Sequence, residues 1–162
     1  QRAMWYAIGA HPGFNCPMED GFAFEDYQLV FEKEEDAVSI PYDLDQLHFS
    51  PSRQGTRLKG CTLSLNREMF KNDAVFFDKL NSRMVSILNP ATGRGVEVGF
   101  PGFETVAFWT LYPEPAPYLC VEPWNGSGIY ENEDDQLSHR HHIQHLLPGD
   151  SRSYVMNIRI LG

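Results

Sequence analysis

Four stretches of the sequence hold residue types that can move protons or bind ligands. The first is Gly9-Ala10-His11-Pro12-Gly13-Phe14-Asn15. Pro12 holds its own φ at about −65°, which narrows the directions open to the neighbouring imidazole, and a positioned imidazole is a general acid or base near neutral pH. A histidine that merely caps a turn is the alternative. The second is Tyr118-Leu119-Cys120-Val121-Glu122-Pro123-Trp124-Asn125-Gly126. A carboxylate after an apolar strand is expected to be part-buried, which raises its pKa and makes it a better base, while Trp124 offers a platform for a sugar ring. A salt-bridged Glu at a strand end is the plainer alternative. The third, Phe70-Lys71-Asn72-Asp73-Ala74, sets polar side chains at a strand mouth where ligand hydroxyls could be held, although Asn-Asp is also an ordinary turn pair. The fourth, His139-Arg140-His141-His142 with His145, raises the question of a metal. Neither Cys nor a catalytic Glu accompanies it at metal-site spacing, so the expectation is a solvated loop and no metal site.

The elements that must position these residues read as strands. Eleven prolines and 13 glycines divide the sequence into short aromatic and β-branched pieces. The expected strands are Trp5 to Ile8, Tyr27 to Glu32, Thr62 to Leu65, Ala74 to Phe77, Met84 to Leu88, Val96 to Phe100, Val106 to Leu111, Tyr118 to Glu122 and Tyr154 to Ile160. Alternation is clearest in Tyr27 to Glu32 and Met156 to Ile160, which predicts one buried and one wet face for each. One helical turn is expected between Asn66 and Lys79, ahead of a strand. The acidic runs Glu32 to Asp36 and Glu131 to Asp135 read as solvated loops. Without repeats or a linker, residues 1–162 form one all-β domain.

Composition narrows the function. Among 162 residues, 13 Lys+Arg stand against 22 Asp+Glu, a formal charge of −9, with 42% hydrophobic and 13% aromatic content. Such a chain folds, and it lacks the basic stripe that nucleic-acid and anionic-membrane binders need. Its apolar runs fall far short of the ~20 residues that cross a bilayer. Cys16, Cys61 and Cys120 are sparsely spaced and odd in number, so buried free thiols and a reducing, cytoplasmic setting are expected. No GxGxxG, P-loop, GxSxG or HExxH signature occurs. The opening at Gln1, without a start Met and running at once into a strand-like stretch, reads as a cut chain.

Taken together and in this order, Ile8-Gly9-Ala10-His11-Pro12-Gly13-Phe14-Asn15, Phe70-Lys71-Asn72-Asp73-Ala74 and Cys120-Val121-Glu122-Pro123-Trp124-Asn125-Gly126 resemble the galactose mutarotase (aldose 1-epimerase) family, in its bacterial mutarotase-like branch. Phe108-Trp109-Thr110, Ala116-Pro117-Tyr118 and Leu147-Pro148-Gly149-Asp150 extend the resemblance along nearly the whole chain. It implies a large, twisted antiparallel β-sandwich of the supersandwich type, of which this chain would be the C-terminal part. It also implies an isomerase of carbohydrate metabolism. His11 would be the general acid toward the sugar ring oxygen, Glu122 the general base toward the anomeric hydroxyl, and Asp73 a ligand of sugar hydroxyls. Asn15 and Trp124 would bind substrate, with Phe14 and Trp109 as further candidates for the pocket floor. A second His and an Arg of the family's earlier half have no match here, so an incomplete site is expected. The partner is a small sugar, no cofactor is required, and the oligomeric state is left open. Two other functions stay in play. A hexose-6-phosphate 1-epimerase would draw on Arg53, Arg57, Lys59 or Arg67 at the rim, and a non-catalytic carbohydrate-binding protein would keep the fold without turnover.

Overall fold

The structure is a computed structural model that describes residues 2–162. Its strands, in chain order, are β1 (Met4–Tyr6), β2 (Ile8–Gly9), β3 (Gly13–Asn15), β4 (Gln28–Val38), β5 (Tyr42–Asp43), β6 (His48–Phe49), β7 (Arg57–Ser64), β8 (Val75–Phe77), β9 (Met84–Leu88), β10 (Gly95–Gly99), β11 (Thr105–Trp109), β12 (Tyr118–Asn125), β13 (Gln144–Leu146) and β14 (Asn157–Leu161). Three single 3₁₀ turns complete the regular structure; one of them, Arg67–Phe70, is the turn expected ahead of β8.

Two five-stranded antiparallel sheets face each other. The first runs β14-β10-β9-β4-β7; the second runs β2-β12-β11-β8, with β3 also on β12. Period-2 alternation sends Leu29, Phe31, Val85, Ile87, Val96 and Val98 of the first sheet inward to meet Val75, Phe77, Val106, Phe108, Leu119 and Val121 of the second. Phe31 sits edge-on to both Phe77 and Phe108, at 6.4 and 5.9 Å between ring centroids. Each such side chain, fully buried, contributes roughly 1.5–3 kcal/mol.

The reverse face of the second sheet carries a smaller apolar cluster. Phe76 and Ala107 meet Ile40, Phe49 and Tyr130 there, delivered by the β5–β6 hairpin and the loop after β12. Phe49 stacks on Phe76 at 4.4 Å. The loops thus cover one part of this face and leave the strip along β12 to the site.

Several elements differ from the sequence expectation. The stretch Trp5 to Ile8 splits into β1, paired with β13, and β2, paired with β12. The acidic run Glu32 to Asp36 lies inside the 11-residue β4, not in a loop, at a register shift between Val30 and Glu35. Buried Glu35 accepts the backbone N–H groups of Asn81 and Ser82, at 2.9 and 2.7 Å, so a distant turn replaces the water it would otherwise need. The final strand is exposed on both faces, with Ile160 77% accessible, because β14 lies at a sheet edge beyond the packed layer. All three cysteines are free; Cys16 and Cys120 are buried and Cys61 is half-buried. No described helix is long and apolar enough to cross a membrane.

Candidate active site

β2 and β3 pair with the two halves of β12 in one continuous register, Gly9 opposite Trp124 and Gly13 opposite Cys120. Between them Pro12 has no N–H to give, and the chain is held instead by Ala10 N–H donating to Pro123 O and Val121 N–H donating to Pro12 O, each at 3.1 Å. His11 therefore falls directly opposite Glu122, the separation at which cross-strand side chains touch. Its Nε2 lies 3.3 Å from Glu122 Oε1. On the next strand the partner of Glu122 is Ala107, which sets only a methyl beside the carboxylate.

Alternation puts Cys120, Glu122 and Trp124 on one face of β12 while Leu119 and Val121 enter the main core. Trp124 spreads over Gly9, where a Cβ would lie 2.5 Å from the indole Cδ1, and leans on Phe76 at 5.7 Å. Trp109, opposite Cys120, meets the His11 ring edge-on at 5.8 Å. The two half-exposed indoles thus flank the His11–Glu122 row. Past the site, Asn125 ends the strand by accepting Glu104 N–H and donating to Gly102 O, and Gly126 turns the chain at φ +81°.

The electrostatics of Glu122 are those of an unserved carboxylate. The residue is 2% exposed and its Oε1 has no hydrogen-bond partner; the His11 contact is close without being aligned as a hydrogen bond. Burial first, and then the negative charge of Asp73, push its pKa up to about 7. The His11 side chain is 59% exposed, so the imidazole looks out to solvent while the carboxylate sits beneath it.

Asp73 follows the 3₁₀ turn that Asn66 caps by accepting Met69 N–H, and it sits in the left-handed region at φ +73°, which Asp tolerates better than most residues. Its negative charge adds to the upward shift of the Glu122 carboxyl. A cavity of about 310 Å³ opens beside its neighbours Asn72 and Ala74, and another of about 280 Å³ opens against Trp124 and Gly9. Asn15 is exposed and pairs with Tyr118, four residues from Glu122, which is about 13 Å along the strand. Phe14 packs into the main core, not the site. Cys120 escaped the sequence reading as a site residue. Its two-residue spacing from Glu122 on a strand was the signal.

The histidine-rich loop draws no three donors together. His139 Nδ1 lies 2.9 Å from Asp134 Oδ2, His141 contacts Glu133 and stacks on Tyr130 at 4.1 Å, and His142 Nδ1 lies 2.8 Å from Glu104 Oε2. Among the described residues, the donors that do converge are those of His11, Cys120 and Glu122.

The fold is the one seen in galactose mutarotase-like proteins. A galactose mutarotase related enzyme from Lactobacillus acidophilus superposes with a TM-score of 0.80 and 25% identity, over 98% of this chain and 51% of its own. A galactose mutarotase-like protein from Lactobacillus casei ATCC 334 follows at 0.77 and 17%, over 98% and 54%. In sequence, the chain is 32% identical to the plasmid and chromosomal forms of Protein LacX from Lactococcus lactis subsp. lactis, over 99% of its length. It spans about half the length of these curated relatives, 54%. No family model matches.

Proposed function

We propose that this site interconverts the α and β anomers of a free aldose by acid/base ring opening. The observation that carries the reading is a buried, unpartnered carboxylate oxygen of Glu122 at 3.3 Å from the exposed imidazole of His11. The two oxygens to be served, the anomeric hydroxyl and the ring oxygen, are both bonded to C1, so acid and base must stand side by side. Glu122 takes the hydroxyl proton as the aldehyde C=O forms. The bond from C1 to the ring oxygen breaks, and that oxygen takes a proton from the imidazolium of His11. Rotation about C1–C2 and reversal of both transfers close the ring with the other configuration and restore both groups. Asp73 would hold sugar hydroxyls, and Trp124 and Trp109 would bracket the ring. Asn15 lies too far along β3 for one monosaccharide to touch it and Glu122 together. The reaction draws on proton transfers alone.

The name of the Lactobacillus acidophilus neighbour supports an enzyme. Against a phosphosugar, three of the four basic candidates are already engaged: Arg53 with Asp43, Arg57 with Asp36, and Arg67 with Glu25 and the Ala116 carbonyl. The test is polarimetry of fresh α-D-galactose and α-D-glucose with the chain and with Glu122→Gln, alongside calorimetric sugar binding. Acceleration by the parent, lost in the variant, is expected. Sugar binding without acceleration would replace the isomerase with a carbohydrate-binding protein, and neither would end both readings.

A further inference from the structure

The acid/base reading leaves Cys120 without a task. It is 4% exposed, free, and two residues before Glu122 on the same face of β12. Its partner on β3 is Gly13, which adds no side chain over the sulfur, and its partner on β11 is Trp109. The donor atoms of His11, Cys120 and Glu122 all lie within 4.8 Å of one another. In a tetrahedral zinc site, bonds of about 2.0–2.3 Å hold the donors roughly 3.3–3.8 Å apart, so shifts of about 1 Å would bring these three onto one ion.

The donor set also chooses its ion. One imidazole, one thiolate and one carboxylate suit Zn²⁺, whereas Mg²⁺ and Ca²⁺ demand oxygen ligands throughout. Glu122 Oε1 is a buried acceptor with nothing bonded to it, and the exposed His11 ring leaves a way in and a fourth position facing solvent. His139, His141 and His142, by contrast, have their carboxylates already.

We propose that His11, Cys120 and Glu122 form a zinc-accepting site whose occupation excludes sugar from Glu122 and switches the site off. The inference rests on the same juxtaposition as the isomerase reading but not on turnover. When the ion binds, the Cys120 thiol gives its proton to solvent and its sulfur to the metal. His11 and Glu122 supply lone pairs, and a water completes the tetrahedron.

Co²⁺ is the probe, because a thiolate ligand gives it a sulfur-to-cobalt charge-transfer absorption in the near ultraviolet. Titrating the chain should produce that band at one ion per chain, and Zn²⁺ should abolish it by displacement. Cys120→Ala should lose the band and weaken Zn²⁺ binding by more than about tenfold. His11→Gln should weaken it comparably, and its exposed position guards against reading a misfolded Cys120 variant as a lost ligand. α-D-galactose should raise the apparent Kd for Zn²⁺. No binding, cobalt bound without a sulfur band, a band surviving in Cys120→Ala, unchanged affinity in His11→Gln, or indifference to galactose overturns the proposal. The band appears whether or not the chain turns over, so failure of the isomerase reading is seen separately by polarimetry.

Discussion

His11 with Glu122 and His142 with Asp78 both bring an imidazole to a sheltered carboxylate, one within the second sheet and one just past the end of its strand β8, yet the fold treats the two pairs in opposite ways. His142 is 19% exposed and stands between two acids, Nδ1 at 2.8 Å from Glu104 Oε2 and Nε2 at 3.7 Å from Asp78 Oδ2. Burial pushes the Asp78 carboxyl up, but the His142 side chain and the Lys79 charge outweigh it and leave the group below its ordinary value. Asp78 raises the His142 pKa in turn; burial opposes this, and Glu104 adds to it. Each shift favours the charged form of its group. Neither His142 Nε2 nor Glu122 Oε1 has an aligned hydrogen-bond partner, but His142 is anchored through Nδ1 to Glu104, whereas at the other pair burial and then Asp73 drive the Glu122 carboxyl up to about 7. A buried charge left without partners is costly, and a fold retains one where the group has chemistry to perform. One pair fastens a loop; the other, under the proposed function, exchanges protons with the sugar.

That contrast breaks most sharply on rate. Glu122→Gln should slow anomer interconversion by roughly 10²–10⁴-fold, the usual worth of a positioned general base. The thermal midpoint near pH 8 should hold or rise, because the amide removes a desolvated charge that nothing pairs. A variant that lost rate and stability together would make Glu122 a structural member like Asp78. Asp73→Asn comes next. Asn keeps the left-handed backbone at φ +73°. Loss of a charged hydrogen bond to a sugar hydroxyl should raise KM by roughly tenfold or more, with a smaller change in kcat, measured by initial polarimetric rates over a range of sugar concentration. An unchanged KM would remove Asp73 from the sugar and leave it only its charge effect on Glu122.

What the sequence made legible divides along the same line. The residue types of the site could be read off, because His11 and Glu122 sit in short segments whose turn and strand chemistry is local. Their apposition could not, since it depends on β2 and β3 sharing one register with β12 across the proline interruption. Glu35 was hidden for a similar reason: its partners, Asn81 and Ser82, lie far along the chain, and within the acidic run it looks like its solvated neighbours. Alternation in Ile158 and Ile160 signalled a strand correctly, but period 2 says nothing about whether a layer lies against it, and at the β14 edge none does. In the histidine-rich loop, spacing suggested ligands to weigh, while the acids that engage them are contributed partly by Glu104, before β11.

The smaller predictions concern the fastened pair. His142→Gln should lower the thermal midpoint by a few degrees near pH 6 and leave the anomer rate unchanged. The sign of its pH dependence follows from the direction of the shift. A histidine whose pKa is raised on folding adds stability that is complete below its unfolded value of about 6.5 and fades as pH rises through the folded value. Unfolding curves of parent and variant should therefore converge as pH rises above about 6.5; a constant gap would mean that packing, not charge, fastens the loop. The smallest effect belongs to His139. It meets Asp134 at 2.9 Å, close to the spacing of His142 and Glu104, but both of its side chains are more than half exposed, at 56% and 51%. Water there competes for each partner, so His139→Gln should move the midpoint by less than about 2 °C at any pH. If it moved the midpoint as far as His142→Gln does, hydrogen-bond distance and not shelter from water would be what separates the pairs, and the same logic would then deny Glu122 its special standing.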